Sequence, residues 1–184
     1  RGFPAEIPSE DLIGYFTLSE RDLLLVRGQR RAHNRLGFAL QVCALRYLGF
    51  VAAKLHSAPP AAVGHLAEQL GVAPRCLAKY GERSQTRTSH LQEVLAHLGF
   101  RRARPSNLKA LKTWLVDRAL EHDRPSLLFQ LGCEKLRTDK VVRPGLTCLE
   151  RMVVAAQQQA QHETYCILTP LLSDDTRTLL DGLL

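Results

Sequence analysis

Residues 27–50, RGQRRAHNRLGFALQVCALRYLGF, carry Arg27, Arg30, Arg31, Arg35 and Arg46 and no Asp or Glu. Leu36, Ala39, Leu40, Cys43, Ala44 and Tyr47 recur at steps of three and four. That repeat lays side chains along one buried face of an α-helix of roughly four turns. Arg27, Arg31 and Arg35 lie four apart and stack on one side if the helix runs through them. Arg46 returns to nearly that side about three turns after Arg35. A helix with one apolar and one cationic face has to meet something negative, or solvent. With no acid in the stretch, the stripe is not neutralised within its own helix. Gly37 costs such a helix up to ~1 kcal/mol against alanine, which predicts close approach of another backbone, of protein or of phosphate. His33 and Asn34 open the helix, with Asn34 as candidate N-cap, and Gly49 closes it.

Upstream, Ser9 can cap a short helix through Leu12, Ile13 and Phe16. Ser19-Glu20-Arg21-Asp22 has the form of a capping box opening a second helix that ends or loosens at Gly28. Downstream, Ala67, Gly71 and Leu77 have the spacing of a helix-turn-helix: a small residue where two helices pack, a glycine turn, an apolar anchor. Its second helix, Pro74 to about Tyr80, would expose Arg75 and Lys79 to a major groove, although purely structural helical hairpins share this pattern. Residues 81–90 are polar and carry Arg83, Arg87 and several hydroxyls, which suit phosphate oxygens. Equally, they read as a loop capping a helix from Leu91 to Leu98.

Arg101-Arg102-Ala103-Arg104-Pro105 reads as an internal boundary, giving one helical subdomain over 1–100 and a second over 101–184. In the second, Ser106 caps a helix with Leu108, Leu111 and Leu115 inward, and Trp114 is expected in the core. A helix over Ser126–Leu136 leads to the basic turn holding Lys140 and Arg143. Leu146, Leu149, Val153, Ala156 and Ala160 form a further stripe whose glutamine-rich outer face reads as solvated. A last helix is expected from Ser173 through Leu184. No stretch alternates as a strand does, so the fold class is all-α, a multi-helix domain with helix-turn-helix-type units.

The 184 residues suffice for one domain or two small ones, burying roughly 70% of the unfolded surface. No apolar run approaches the ~20 residues that span a bilayer, and RGFPAEIPSE, without an initiator Met, reads as the start of a fragment. Five scattered cysteines without a C-x-x-C read as reduced thiols of a cytosolic protein, with Cys43, Cys76 and Cys148 inside apolar helical patterns. Net charge is +7, but it is uneven: about +6 over residues 27–54, about +6 over 101–151, and about −3 at each end. Two basic segments between acidic ends favour a polyanion such as nucleic acid over a membrane surface. Only 6% of residues are aromatic, without a stacking array, which disfavours RNA.

Catalytic patterns are absent: no H-E-x-x-H, Gly-rich phosphate loop, G-x-S-x-G or zinc-spaced cysteine pair. His90 and His97, seven apart, read as surface residues, and His33 beside Asn34 and Arg35 as a phosphate or base contact.

The run HNRLGFALQVCALRYLGF, with TLSERDL upstream, resembles the N-terminal region of Tn-three family replicative transposases. Arg30, Arg31, His33 to Ala39, Gln41, Cys43, Leu45 to Tyr47 and Gly49 carry the match. Leu48 stands where the family has proline, which touches only the helix exit. The likeness continues through QLGV, YGERSQTRTSHLQEVLAHLGFR and LRTDKVVRPG with LERMV, almost the whole chain. The resemblance implies sequence-specific binding of double-stranded DNA at a transposon's terminal inverted repeats, in the bacterial cytoplasm at the nucleoid. It also implies a parent that cuts DNA with a magnesium-dependent carboxylate triad lying outside this stretch. This chain would then need no cofactor of its own, bind without cutting, and have as partners DNA and the rest of the transposase, a candidate dimer. Arg27, Arg30, Arg31, His33, Asn34, Arg35, Arg46, Arg75, Lys79, Arg83 and Arg87 are the candidate DNA face of the first half, with Arg101 and Arg102 between the halves and Lys140 and Arg143 in the second. The competing reading is a basic all-α interaction module that docks an acidic protein or the transposase's own catalytic core.

Overall fold

A computed structural model describes residues 2–52, 54–82, 84–173 and 176. The fold is all-α: α1 (Ser9–Phe16), α2 (Glu20–Gly28), α3 (Ala32–Leu48), α4 (Pro60–Leu70), α5 (Ser84–Leu98), α6 (Pro105–Glu121), α7 (Pro125–Thr138) and α8 (Leu146–Leu168), with short 3₁₀ segments at Leu55–Ser57, Pro74–Lys79 and Thr169–Leu171. Two parallel two-residue strands, β1 (Arg101–Arg102) and β2 (Val141–Val142), pair in the register Arg101 to Val141. No helix among the described residues is long and apolar enough to cross a membrane. The chain forms two compact units, one of residues 1–102 with 137–143, the other of 103–136 with 144–184. The helix expected from Ser173 lies largely outside the described residues.

The first unit is built around α3. Every residue from Leu36 to Leu45 is buried, Gln41 included, so this part of the helix is enclosed on all sides rather than along one stripe, as a core helix is. Each fully buried Leu or Phe contributes roughly 1.5–3 kcal/mol of transfer free energy, and Leu36, Phe38, Leu40 and Leu45 are all within 2% of complete burial. No single helix runs through Arg27, Arg31 and Arg35, so the stripe that depended on one does not form. α2 ends at Gly28, Gln29 is extended, and α3 starts afresh after an extended Arg31, which rather than Asn34 is its N-cap. Gly37 is explained by a side chain, not a backbone: the Tyr80 ring occupies the space a Cβ would need. Gly49 closes α3 at φ +68°, as the spacing predicts.

Ser19 and Asp22 form the predicted capping box, Ser19 N–H donating to Oδ2 at 2.9 Å and Asp22 N–H donating to Ser19 Oγ at 3.2 Å. Asp22 does more than cap. Its carboxylate, 1% exposed, accepts from Arg46 Nη2 at 2.8 and 3.0 Å and meets His97 Nε2 at 2.7 Å. Burial alone would raise its pKa; the bonds to Arg46, His97 and Ser19 outweigh that and hold it at about 2. One carboxylate thus ties α2 to α3 and α5. A second buried pair, Tyr80 Oη and His90 Nδ1 at 3.0 Å, sits against Phe38. Burial lowers the His90 pKa and raises that of Tyr80. His90 and His97 are therefore internal ties, not surface residues; their partners come from distant segments that spacing along one helix does not reveal. The Cys43 thiol, pushed up to about 12 by burial, is an inert core residue.

α4 ends at Gly71 in the left-handed region (φ +62°), and Ala67 and Leu77 are buried as the helix-turn-helix spacing requires. The element after the turn, however, is a six-residue 3₁₀ segment, Pro74–Lys79, not an α-helix. The long helix comes next: α5 begins at Ser84, seven residues before Leu91, so the expected polar loop is two turns of helix. The basic segment after α7 returns to this unit, with Arg101 N–H donating to Lys140 O at 2.8 Å and Arg143 N–H to Gly49 O at 3.0 Å.

The second unit pairs α6 with α8. Leu111, Leu115, Val116, Leu128, Leu149, Val153, Ala156 and Ala160 are buried, and Gly132 of α7 lies against Leu115 and Leu149. Arg104 N–H bonds Asn107 Oδ1 at 3.1 Å, so the α6 cap forms there and not at Ser106. Trp114 is half-buried under Arg118, and Leu146 is 50% exposed, outside the stripe assigned to it.

Candidate nucleic-acid interface

The break between α2 and α3 makes an open cleft of about 410 Å³, lined by Gly28, Gln29, Arg30, Arg31, His33, Asn34, Lys79, Gly81, Glu82 and Thr86. Two local bonds set its wall. Arg35 Nε donates to Gln29 O at 3.0 Å, and Gln29 Nε2 reaches Glu93 Oε2 of α5 at 3.4 Å. Both bonds hold the link at Gln29, and Arg30 and Arg31 project from it into solvent. The first turn of α3 contains no acid and no side chain caps it. Its free amides and the positive end of the helix dipole therefore add to the arginine charge. Lys79 closes the far side, and Glu82 is the one acid in the lining.

A second concavity, about 320 Å³, lies past Gly81 and is lined by Lys54, Leu55, His56, Ser57, Tyr80, Gly81 and Arg87. It shares Leu55 and Arg87 with a third of about 180 Å³, which also takes in Gln41, Phe50, Thr88 and Leu91. Gln41 is 7% exposed, and among the described residues its Oε1 has no hydrogen-bond partner. The start of α5 therefore stands between two cation-lined hollows.

Of the residues singled out from sequence, Arg30, Arg31, His33, Asn34 and Lys79 share the first cleft, and Arg87 lies across Gly81 from them. Arg27 and Arg75 are exposed outside that lining, and Arg35 is tied to Gln29. Arg46 is closed onto Asp22. Arg143 lies over the Phe50 ring at 4.3 Å and Lys140 over Phe100 at 5.1 Å. Arg101 and Arg102 are exposed on β1, and Arg83 lies outside the described residues. All of those described belong to the first unit, including Lys140 and Arg143.

Lys54, His56 and Gln41 also line the hollows and were not picked out by the sequence pattern. Lys54 counts in the basic segment, but a 3₁₀ turn at Leu55–Ser57 places it, and such a turn has no periodicity to read. Among the described residues no three His, Cys, Asp or Glu group to hold a metal. The buried carboxylate of Asp22 is already saturated by its partners.

Residues 1–156 match the family described as "Domain of unknown function (DUF4158)". The chain is 33% identical over 181 residues to the transposase for transposon Tn1546 of Enterococcus faecium, covering 97% of this chain and 18% of that protein. It is 35% identical over 175 residues to the transposase for transposon Tn501 of Pseudomonas aeruginosa, covering 95% of this chain and 18% of that protein. The transposase for transposon gamma-delta of Escherichia coli (strain K12) is 33% identical over 173 residues, 92% of this chain and 17% of its own. The chain thus spans about 18% of the length of the relatives it matches. On the family match and this likeness along almost its whole length, the chain belongs to the DUF4158 family, as an N-terminal region of a Tn-three family transposase.

Proposed function

We propose that this chain recognises the terminal inverted repeats of a transposon in double-stranded DNA, and that strand cleavage belongs to the remainder of the parent transposase. The observation that carries the reading is the cleft at the start of α3. There the fold gathers Arg30, Arg31 and Lys79 around an uncapped helix N-terminus, the combination that holds a phosphate. Lys54 and Arg87 extend the positive surface past Gly81. Arg46 and Arg143, engaged within the unit, contribute long-range field and no contact.

Fluorescence anisotropy on the element's terminal repeat and on a scrambled duplex, across a salt series, tests it. With four or five phosphate contacts, log affinity falls with log salt at a slope of about −4, and the repeat is bound more tightly than the scrambled duplex. Equal, weak binding to both overturns end recognition.

One observation favours a docking role for the second unit. An apolar groove of about 550 Å³ there is lined by Pro125, Phe129, Leu146, Val153 and Val154 with Ser126, Gln130 and Glu150. It suits an apolar surface of the parent transposase. Salt-insensitive association of this chain with the rest of the parent, lost in Leu146→Asp, is the expected result; association unaffected by that change excludes the groove.

A further inference from the structure

We propose that the exposed face of α5 carrying Gln85 and Gln92 reads the bases, while the hollows on its two sides hold the phosphates that border one DNA groove. The inference rests on the DNA-binding reading and names the element that supplies its specificity. The two elements that sequence spacing favours are poorly built for the task. α3 is buried without interruption from Leu36 to Leu45 and presents only its first turn. The segment after the α4 turn is six residues of 3₁₀ helix with Leu77 buried, too short to lie along a groove.

α5 has the required shape. Gln85, Ser89 and Gln92, at steps of four and three, share one helix face, and all three are exposed. His90, Val94 and Leu95 anchor the opposite side in the core. Gln85 and Gln92 lie two turns apart, about 10.5 Å along the axis, which spans about three base pairs at 3.4 Å each. Among the described residues neither glutamine amide has a hydrogen-bond partner within the chain. A glutamine amide pairs in bidentate fashion with N6 and N7 of adenine in the major groove, which is about 12 Å wide and admits one α-helix. Recognition helices present their N-terminal residues to base edges, and here those are the polar turns.

The flanks fit as well. On one side Thr86 and Gly81 open onto Arg30, Arg31 and Lys79; on the other Arg87 opens onto Lys54 and His56. A projecting polar helix face with cations to both sides is the layout of a groove reader between two phosphate ridges. Gln41 is an independent sign that the second flank takes a ligand: a side chain more than nine-tenths buried keeps an Oε1 with no partner among the described residues, in the hollow that Arg87 and Thr88 border. Buried acceptors are rarely left so, and the ligand or its bound water supplies the donor. The acids nearby are Glu82, and Glu93, which accepts from Ser89 and Gln29.

The test compares the chain with Gln85→Ala and Gln92→Ala on the terminal repeat, on a scrambled duplex, and on repeats in which single adenines are replaced by 7-deazaadenine. Circular dichroism and urea melts confirm that both exposed variants stay folded. Each substitution is expected to cut the preference for the repeat by about fivefold to a hundredfold, leaving scrambled-duplex affinity and the salt slope unchanged. At one position 7-deazaadenine should weaken the parent chain but not the glutamine variant. Full retention of preference by both variants, while Arg31→Ala still weakens both duplexes, overturns the α5 assignment and leaves DNA binding standing. A parent chain with no preference for the repeat overturns the DNA-recognition reading itself, and the α5 assignment falls with it.

Discussion

At its first turn α3 opens onto solvent, with Arg31, His33 and Asn34 around a cleft; at its last turn Arg46 is closed onto a buried carboxylate. The two ends belong to one uninterrupted stretch without an acid, and in sequence their arginines are equivalent. The difference lies in what α2 delivers to each. Near Arg46 it brings Asp22, 24 residues away, and α5 adds His97. Near Arg31 it brings only its own C-terminal break at Gln29. Positive charge in this unit is thus divided between a structural share and an available share, and packing partners decide which arginine belongs to which.

The comparison can be broken most severely at the closed end. Asp22→Ala strands Arg46 and His97 beside an empty site and removes the capping box. A loss of about 3 kcal/mol or more in urea denaturation is expected. A change under 0.5 kcal/mol would mean the triad is ornamental. Acid acts on the same tie. The folded pKa of Asp22, about 2, lies below its ordinary 3.8, so its stabilisation of about 2 kcal/mol is complete above pH 4 and lost as pH falls towards 2. His90 adds to this in the same direction: burial depresses its pKa, so stability begins to decline once pH drops below the ordinary histidine range. Urea midpoints between pH 8 and pH 2 should fall in those two stages, and Asp22→Asn should remove the lower one.

The middle of α3 sharpens the contrast. Gly37→Ala gains helix propensity but drives a methyl group into the Tyr80 ring. A net cost of about 1–3 kcal/mol is expected by thermal melts, and it would displace the 3₁₀ segment that carries Lys79. The open end shows the smallest stability effect. Arg30→Ala should shift the urea midpoint by no more than about 0.5 kcal/mol while flattening the salt slope of DNA binding by about one.

Much of this was legible in the residues. The three- and four-residue recurrence marked α3, Ser19 and Asp22 marked the α2 cap, and Gly49 and Gly71 marked two of the left-handed turns. Arg30, Arg31, His33, Asn34 and Lys79 were picked out by charge and helix-start chemistry, and the fold brings them to one cleft. What stayed hidden depended on distant partners. Arg46 looks free until Asp22 is placed beside it, and His90 looks exposed until Tyr80 covers it. The start of α5 was concealed for another reason. Residues 85–89 lack an apolar repeat because most of them face solvent, so helical periodicity has little to register before the buried His90 and then Leu91.

The most direct test of the division of charge is to measure Arg31→Ala and Arg46→Ala side by side, for stability in urea and for affinity on the terminal repeat. Arg31→Ala should keep its stability and lose DNA affinity on repeat and scrambled duplex alike, with a salt slope flatter by about one. Arg46→Ala should lose about 2–3 kcal/mol of stability and, under conditions where it remains folded, bind DNA with an unchanged slope. Unaltered DNA binding by Arg31→Ala, or a flattened slope in a fully stable Arg46→Ala, would contradict the account.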